Sequence, residues 1–320
     1  LDSALLRAYE DGKPANVEHH FTLKPEGAQA GELVMVTGHP GRTQRQLTVA
    51  QLEMVRDVSL INTLLWLAER RAMLGEYGRL DEEAARQAQS DLTFTDNSYK
   101  VYRGQLQALL DPQVFAAKRA EEARLREGVD ATPWREVEAA QVTARQIAVP
   151  YMLLEQGRGF DSRLFSIART LVRGADERAK PNDARLPEFH DAGQGRLRQT
   201  LLSTAPVYPA FETAKLTWSL TKLRELLGTD DPLVKSVLGD RSPAQVAKAL
   251  VEGSTLADVA ERERLWTGGA AAIAASDDPF IQLARAVDAP ARAVRQRQEA
   301  EVGAIESRAA TQIAKVRFDK

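Results

Sequence analysis

The stretch Met54-Val55-Arg56-Asp57-Val58-Ser59-Leu60-Ile61-Asn62-Thr63-Leu64-Leu65-Trp66-Leu67-Ala68-Glu69-Arg70-Arg71-Ala72 sets the fold class. Met54, Val58, Ile61, Leu65, Ala68 and Ala72 recur at steps of three and four, which draws one apolar face on an α-helix. Toward the C-terminus, further helices are predicted at about 81–110, 112–127, 133–156, 161–178, 195–203, 208–227 and 243–285. Prolines such as Pro112, Pro133, Pro232, Pro243 and Pro279 fall near helix starts or in links, where a missing N–H costs nothing. Ser242-Pro243 and Asp278-Pro279 read as an N-cap followed by proline at the first helical position. A last helix, about 290–317, carries Val302, Ile305, Ala309, Ile313 and Val316 on one face. The polar segment Ala179 to Gly195 reads as a loop.

Toward the N-terminus the pattern changes. Leu5 to Tyr9, His20 to Leu23 and Leu33 to Thr37 are short β-like runs, separated by the turn compositions Asp11-Gly12-Lys13-Pro14 and Lys24-Pro25-Glu26-Gly27. Three short strands cannot build an independent core. The expected organisation is a β segment over 1–48, part of a larger β-domain, and an α-helical domain over 49–320. The chain of 320 residues opens at Leu1 directly in a strand-like run, as expected of a piece cut from a longer protein.

Composition narrows the function classes. The 43 basic and 45 acidic side chains leave a formal charge of -2, with no basic stripe for nucleic acid and no push toward an anionic membrane. The absence of cysteine removes disulfides, thiol nucleophiles and thiolate metal sites. The apolar runs are shorter than the ~18–20 residues of a membrane helix, and no leader peptide is read at the start. His19, His20, His39 and His190 show no metal-chelating spacing; adjacent strand residues such as His19 and His20 face opposite ways, so no metal is expected. Gly38-His39-Pro40-Gly41-Arg42-Thr43 lacks the lysine and second glycine of a phosphate loop and reads as a tight turn. No Gly-x-Ser-x-Gly occurs, so the chain offers no complete acyl-transfer site of its own.

Two stretches carry a resemblance. Asp2-Ser3-Ala4-Leu5-Leu6-Arg7-Ala8-Tyr9 precedes Gly12-Lys13-Pro14-Ala15, and Val34-Met35-Val36-Thr37 leads into Gly38-His39-Pro40-Gly41-Arg42-Thr43-Gln44-Arg45. Together they resemble bacterial serine dipeptidyl peptidases of the dipeptidyl aminopeptidase BII and dipeptidyl-peptidase seven and eleven type. Asp96-Asn97-Ser98-Tyr99-Lys100, Ser236-Val237-Leu238-Gly239, Leu265-Trp266-x-Gly268-Gly269 and Ile313-Ala314-Lys315-Val316-Arg317-Phe318 continue the likeness in order along the chain.

The resemblance implies a chymotrypsin-like double β-barrel with a helical domain inserted over its active site. It implies that Asp2 is the aspartate of a Ser-His-Asp triad and that Asn97 binds the free α-ammonium of a peptide substrate. The partners implied are peptides with a free N-terminus and a second copy in a homodimer, with no nucleic acid, no membrane and no cofactor, in the periplasm or secreted. Three departures stand out: His39 replaces the family's tyrosine, the link from Ala15 to His20 is short, and the catalytic serine and histidine are missing. The alternative reading is a non-catalytic helical interaction or scaffold module, in which Asp2 is a solvated terminal residue and Asn97 caps a helix.

Overall fold

The computed structural model describes residues 6–35 and 44–320, which fall into two units, one up to Gln46 and one from Leu47 to Lys320. Asp2 and the turn from Gly38 to Thr43 lie outside the described residues.

In the first unit the strands β1 (Tyr9–Glu10) and β2 (Lys13–Pro14) form an antiparallel hairpin with Tyr9 opposite Pro14 and Glu10 opposite Lys13. Asp11 and Gly12 both take positive φ, 50° and 73°, the Asp-Gly chemistry of a two-residue hairpin turn whose twist matches its strands. The strands expected at His20 to Leu23 and Leu33 to Thr37 are corrected: His20 to Leu23 and Leu33 to Met35 are not paired. Leu6, Phe21, Leu23, Leu33 and Met35 are exposed, so the described residues of this unit build no apolar core of their own.

The second unit is built of helices. In chain order they are α1 (Val49–Met54), α2 (Leu60–Gly78), α3 (Glu82–Leu110), α4 (Pro112–Arg126), α5 (Thr132–Pro150), α6 (Arg163–Glu177) and α7 (Asp191–Leu201). They continue with α8 (Pro209–Leu227), α9 (Pro232–Leu238), α10 (Pro243–Gly253), α11 (Val259–Ala274), α12 (Pro279–Arg297) and α13 (Ala304–Asp319). Two of the caps are those the sequence announces. Ser242 and Gln245 form a capping box ahead of Pro243, and Asp278 accepts from the amides of Phe280 and Ile281 ahead of Pro279.

The single helix expected over 243–285 is corrected to three. Asp278 explains one break: its carboxylate caps α12 and also accepts from Ser254 Oγ (2.9 Å) and the Thr255 amide (2.8 Å), fixing the chain just after α10. Asp258 caps α11, and Gly269, at φ 57°, kinks that helix. The last helix is also longer than expected: α12 passes through Pro290 and a π-helical segment, Gln298–Gly303, into α13. The loop expected over 179–195 holds two short 3-10 turns and the start of α7.

A further correction concerns the face read at the outset. Met54 is buried and Val58 packs on the core, but Ile61, Ala68 and Ala72 are exposed and Leu65 is 58% exposed. The buried positions of α2 are Leu60, Leu67, Leu74 and Tyr77. Between α1 and α2, Val55–Ser59 is π-helical, with the Leu60 amide bonding back to the Val55 carbonyl. One inserted residue turns every later side chain by about 100° about the axis, so the 3.6-residue period slips onto a new face.

The main core gathers α5, α6, α8, α10 and α12 around Leu153, Ala168, Leu216, Leu220, Leu256 and Phe280, each fully buried. A second cluster (Leu74, Tyr77, Ala84, Ala88 and Phe211) fastens the antiparallel α2–α3 hairpin to α8, with the Tyr77 and Phe211 rings 4.9 Å apart. A third sets α13 on α5 through Trp134, Val137, Ala309 and Ile313, the face expected from the sequence.

Glu177, at the end of α6, is fully buried. Its carboxylate accepts from Lys180 Nζ (2.8 Å), the Leu186 amide (2.8 Å) and Arg292 Nη1 (2.6 Å). Burial by itself would raise the carboxyl pKa; those three donors outweigh it and hold the value at about 2 against an ordinary 4.5. A depressed folded pKa adds stability that is complete above about 4.5 and is lost as pH falls toward about 2. A Glu177→Gln variant is therefore expected to show a shallower fall of Tm across that acid window than the wild type. Parallel Tm–pH curves for the two proteins would remove Glu177 from the acid response.

Candidate functional site

Asp81, not Asn97, is the N-cap of α3; its carboxylate accepts from the Ala84 amide at 2.8 Å. Asn97 sits in the middle of this long helix, where no free backbone N–H remains for a cap to serve. Its side chain is exposed and makes no hydrogen bond among the described residues. Phe94, 70% exposed, and Val101, 62% exposed, lie one turn to either side on the same face. An amide with both its carbonyl oxygen and its NH2 unused, between two apolar side chains that face solvent, is a ready acceptor for a small cationic group. The neighbouring carboxylate does not share that face: Asp96 Oδ1 is held by Arg71 Nε of α2 at 2.5 Å.

The helix that presents Asn97 is anchored from behind by a charge network. Arg70 of α2 donates from Nε to Asp161 Oδ2 (2.6 Å), from Nη1 to Thr95 Oγ1 (2.6 Å) and from Nη2 to Asp91 Oδ2 (3.2 Å). Lys215 of α8 pairs with Glu212 at 2.9 Å and reaches Asp91 at 3.5 Å. Glu212 Oε2 accepts from Ser162 Oγ and the Arg163 amide, both at 2.6 Å. Burial works against the charge on Arg70 and Lys215, but the surrounding carboxylates outweigh it and raise both pKa values. Asp91, Thr95 and Asn97 thus belong to one helix whose inner face is locked by ions and whose outer face is open. Arg70, Asp91, Asp161, Glu212 and Lys215 are not singled out by the sequence. The one hint is charge embedded in apolar periodicity, which marks no particular partner.

Other predicted positions fall apart from this site. His20 Nδ1 contacts the Val17 carbonyl (3.2 Å) and His190 Nε2 the Arg185 carbonyl (3.2 Å). Among the described residues no group of three or more His, Asp or Glu side chains is arranged to hold a metal ion. No helix of the described residues is long and apolar enough to cross a membrane.

The sequence model of the peptidase S46 family matches residues 1–320. The chain belongs to the peptidase S46 family. Among solved structures, this S46 chain is similar to DPP11 of Porphyromonas endodontalis, determined in complex with the dipeptide Arg-Glu. The identity is 15% and the TM-score 0.57, over 88% of this chain and 41% of that one. At that identity the likeness speaks for the fold alone. The chain therefore spans less than half the length of that structure, and the part they share is mainly helical.

Proposed function

We propose that this S46 chain is the central portion of a serine dipeptidyl peptidase that releases dipeptides from the free N-terminus of peptides. The observation that carries the reading is Asn97: exposed, without a partner among the described residues, and presented by a helix whose other face is ion-locked. Its amide oxygen would accept from the substrate α-ammonium, which has donors and no acceptor. Fixing the ammonium at a set distance from the scissile bond makes the product a dipeptide.

The rest of the assignment goes with it. The helical domain, 49–320, would close over the cleft, and segment 1–48 would belong to a chymotrypsin-like double β-barrel. The apolar side chains exposed along that segment support this, since isolated short strands gain stability only inside a larger sheet. Asp2 would accept from histidine Nδ1–H and hold its tautomer while that histidine takes the proton of the attacking serine. The intact enzyme would be a periplasmic or secreted homodimer and would need no cofactor.

Asn97→Ala in the intact enzyme is expected to cost about 1.5–3 kcal/mol in kcat/KM, the range for a hydrogen bond to a charged group. The loss should appear with free-amino peptides. N-acetylated peptides, turned over poorly by both proteins, should show no further loss. Equal kcat/KM of variant and wild type on free-amino peptides would remove Asn97 from ammonium binding.

A further inference from the structure

Arginines shielded from water in the helical unit find acceptors. Arg70, Arg169, Arg173 and Arg295 pair with carboxylates. Arg262 donates to the carbonyls of Leu201, Ser203 and Ala257, and Arg178 to those of Gly174 and Trp266. Arg158 departs from this pattern. Gly157, at φ 74°, turns the chain out of the π-helical segment Tyr151–Glu155 and directs Arg158 back across α2. There its guanidinium lies over the Trp66 ring at 4.9 Å and donates once, to Thr63 Oγ1 at 3.3 Å. No carboxylate pairs with it among the described residues, and burial pulls its pKa down, with Tyr102 the one neighbour working the other way.

The ring beneath it has the same deficit. Trp66 Nε1 is buried and has no acceptor among the described residues. Arg70 touches that ring from another side, 5.5 Å from its centroid, but its own donors are spent on Asp161, Asp91 and Thr95. A guanidinium with most of its five N–H groups unused and an indole N–H without an acceptor sit together, and both are acceptor-seeking groups. Leaving such donors unmatched is costly. Arg158, Thr63 and Tyr102 are partly exposed, so a solute can reach the guanidinium, while the Trp66 N–H beneath it stays shielded.

We propose that Arg158, backed by Trp66, is a carboxylate-binding subsite for peptides, distinct from Asn97 and its ammonium chemistry. The planar fork of Arg158 matches a carboxylate through two parallel hydrogen bonds, and the aromatic ring fixes the plane of the fork. The carboxylate comes from an acidic side chain or from a peptide C-terminus, two sources of the same chemistry. That the carboxylate belongs to a peptide rests on the peptidase reading; the carboxylate binding itself does not, because it is read at equilibrium and not from turnover.

The test is calorimetric titration of the full chain with three small probes. N-acetylglutamate α-amide carries only a side-chain carboxylate, N-acetylglutamine only a chain-end carboxylate, and N-acetylglutamine amide neither. At least one of the two anions is expected to bind saturably, at least about tenfold tighter than the neutral amide, and the tighter anion identifies the source. Arg158→Gln should abolish that preference. Arg158→Lys, which keeps the charge and loses the fork, should weaken it roughly tenfold. Circular dichroism of both variants checks that the fold is intact. Equal binding of all three probes, undiminished binding by Arg158→Gln, or no saturable binding by the wild type would each overturn the proposal.

Discussion

Asp2→Asn in the intact enzyme is expected to lower kcat by about 10⁴-fold while KM and thermal stability stay close to wild type. A neutral amide in place of the carboxylate presents an N–H where an acceptor is needed, so the catalytic histidine adopts the wrong tautomer and its imidazolium loses a counter-charge. Serine then faces a base that has no lone pair aimed at it. Asp2 lies outside the described residues, so the expectation stands on the triad role proposed for it. Steady-state kinetics on a dipeptidyl substrate, alongside a melting curve of the same preparation, makes the check. Unchanged turnover would remove Asp2 from the triad, and loss of both turnover and fold would make it a structural residue instead.

The second large effect is on stability. Arg70 is the one cation shared by Asp161, Asp91 and the Thr95 hydroxyl, and it ties the α2–α3 hairpin to the segment entering α6. Removing one partner of a shielded ion pair leaves the other desolvated and uncompensated. Arg70→Ala is expected to cost about 3–5 kcal/mol of unfolding free energy. Lys215 stays near Asp91 at 3.5 Å and also acts on Asp161, so it offsets part of the loss for both carboxylates. The double variant Arg70→Met/Asp161→Leu should regain much of that loss, because apolar groups of similar size need no solvation. Denaturant melts of the three proteins decide the matter. A single-variant loss below about 1 kcal/mol, the worth of an exposed pair, would mean that the network does not hold the hairpin. Hydrogen exchange in α3 adds a functional readout: faster exchange around Asn97 in Arg70→Ala would tie the network to the presentation of that side chain.

Legibility in the sequence varied with the range of the interaction. Local chemistry was readable: Ser242-Pro243 and Asp278-Pro279 start α10 and α12, Asp11-Gly12 turns the one hairpin of the described residues, and Val302, Ala309 and Ile313 are the buried face of the last helical stretch. Each depends on neighbours within a few residues. The β-runs after the hairpin were misread because β-propensity needs a partner strand to express it, and none pairs with them among the described residues. In the candidate site, Asn97 could be named through the family resemblance of the residues around it and placed within the helix predicted over 81–110, but its open outer face and ion-locked inner face could not be read. Arg158 had no sequence signal beyond its two flanking glycines.

The sequence by itself determined that the chain is mainly helical from Val49 onward, where several of its helices start, and which family it resembles. Those properties reside in periodicity, caps and short ordered motifs. Only the tertiary structure decided which face of α2 is buried, since the π-helical turn at Val55–Ser59 shifts the register without a residue type that announces it. Only the tertiary structure, too, brought Arg70 to Asp161 and set Arg158 over Trp66, across separations of about ninety residues. Charge pairing and ring contact act over a few ångströms in space and leave no periodicity along the chain, so they become visible when the helices have packed.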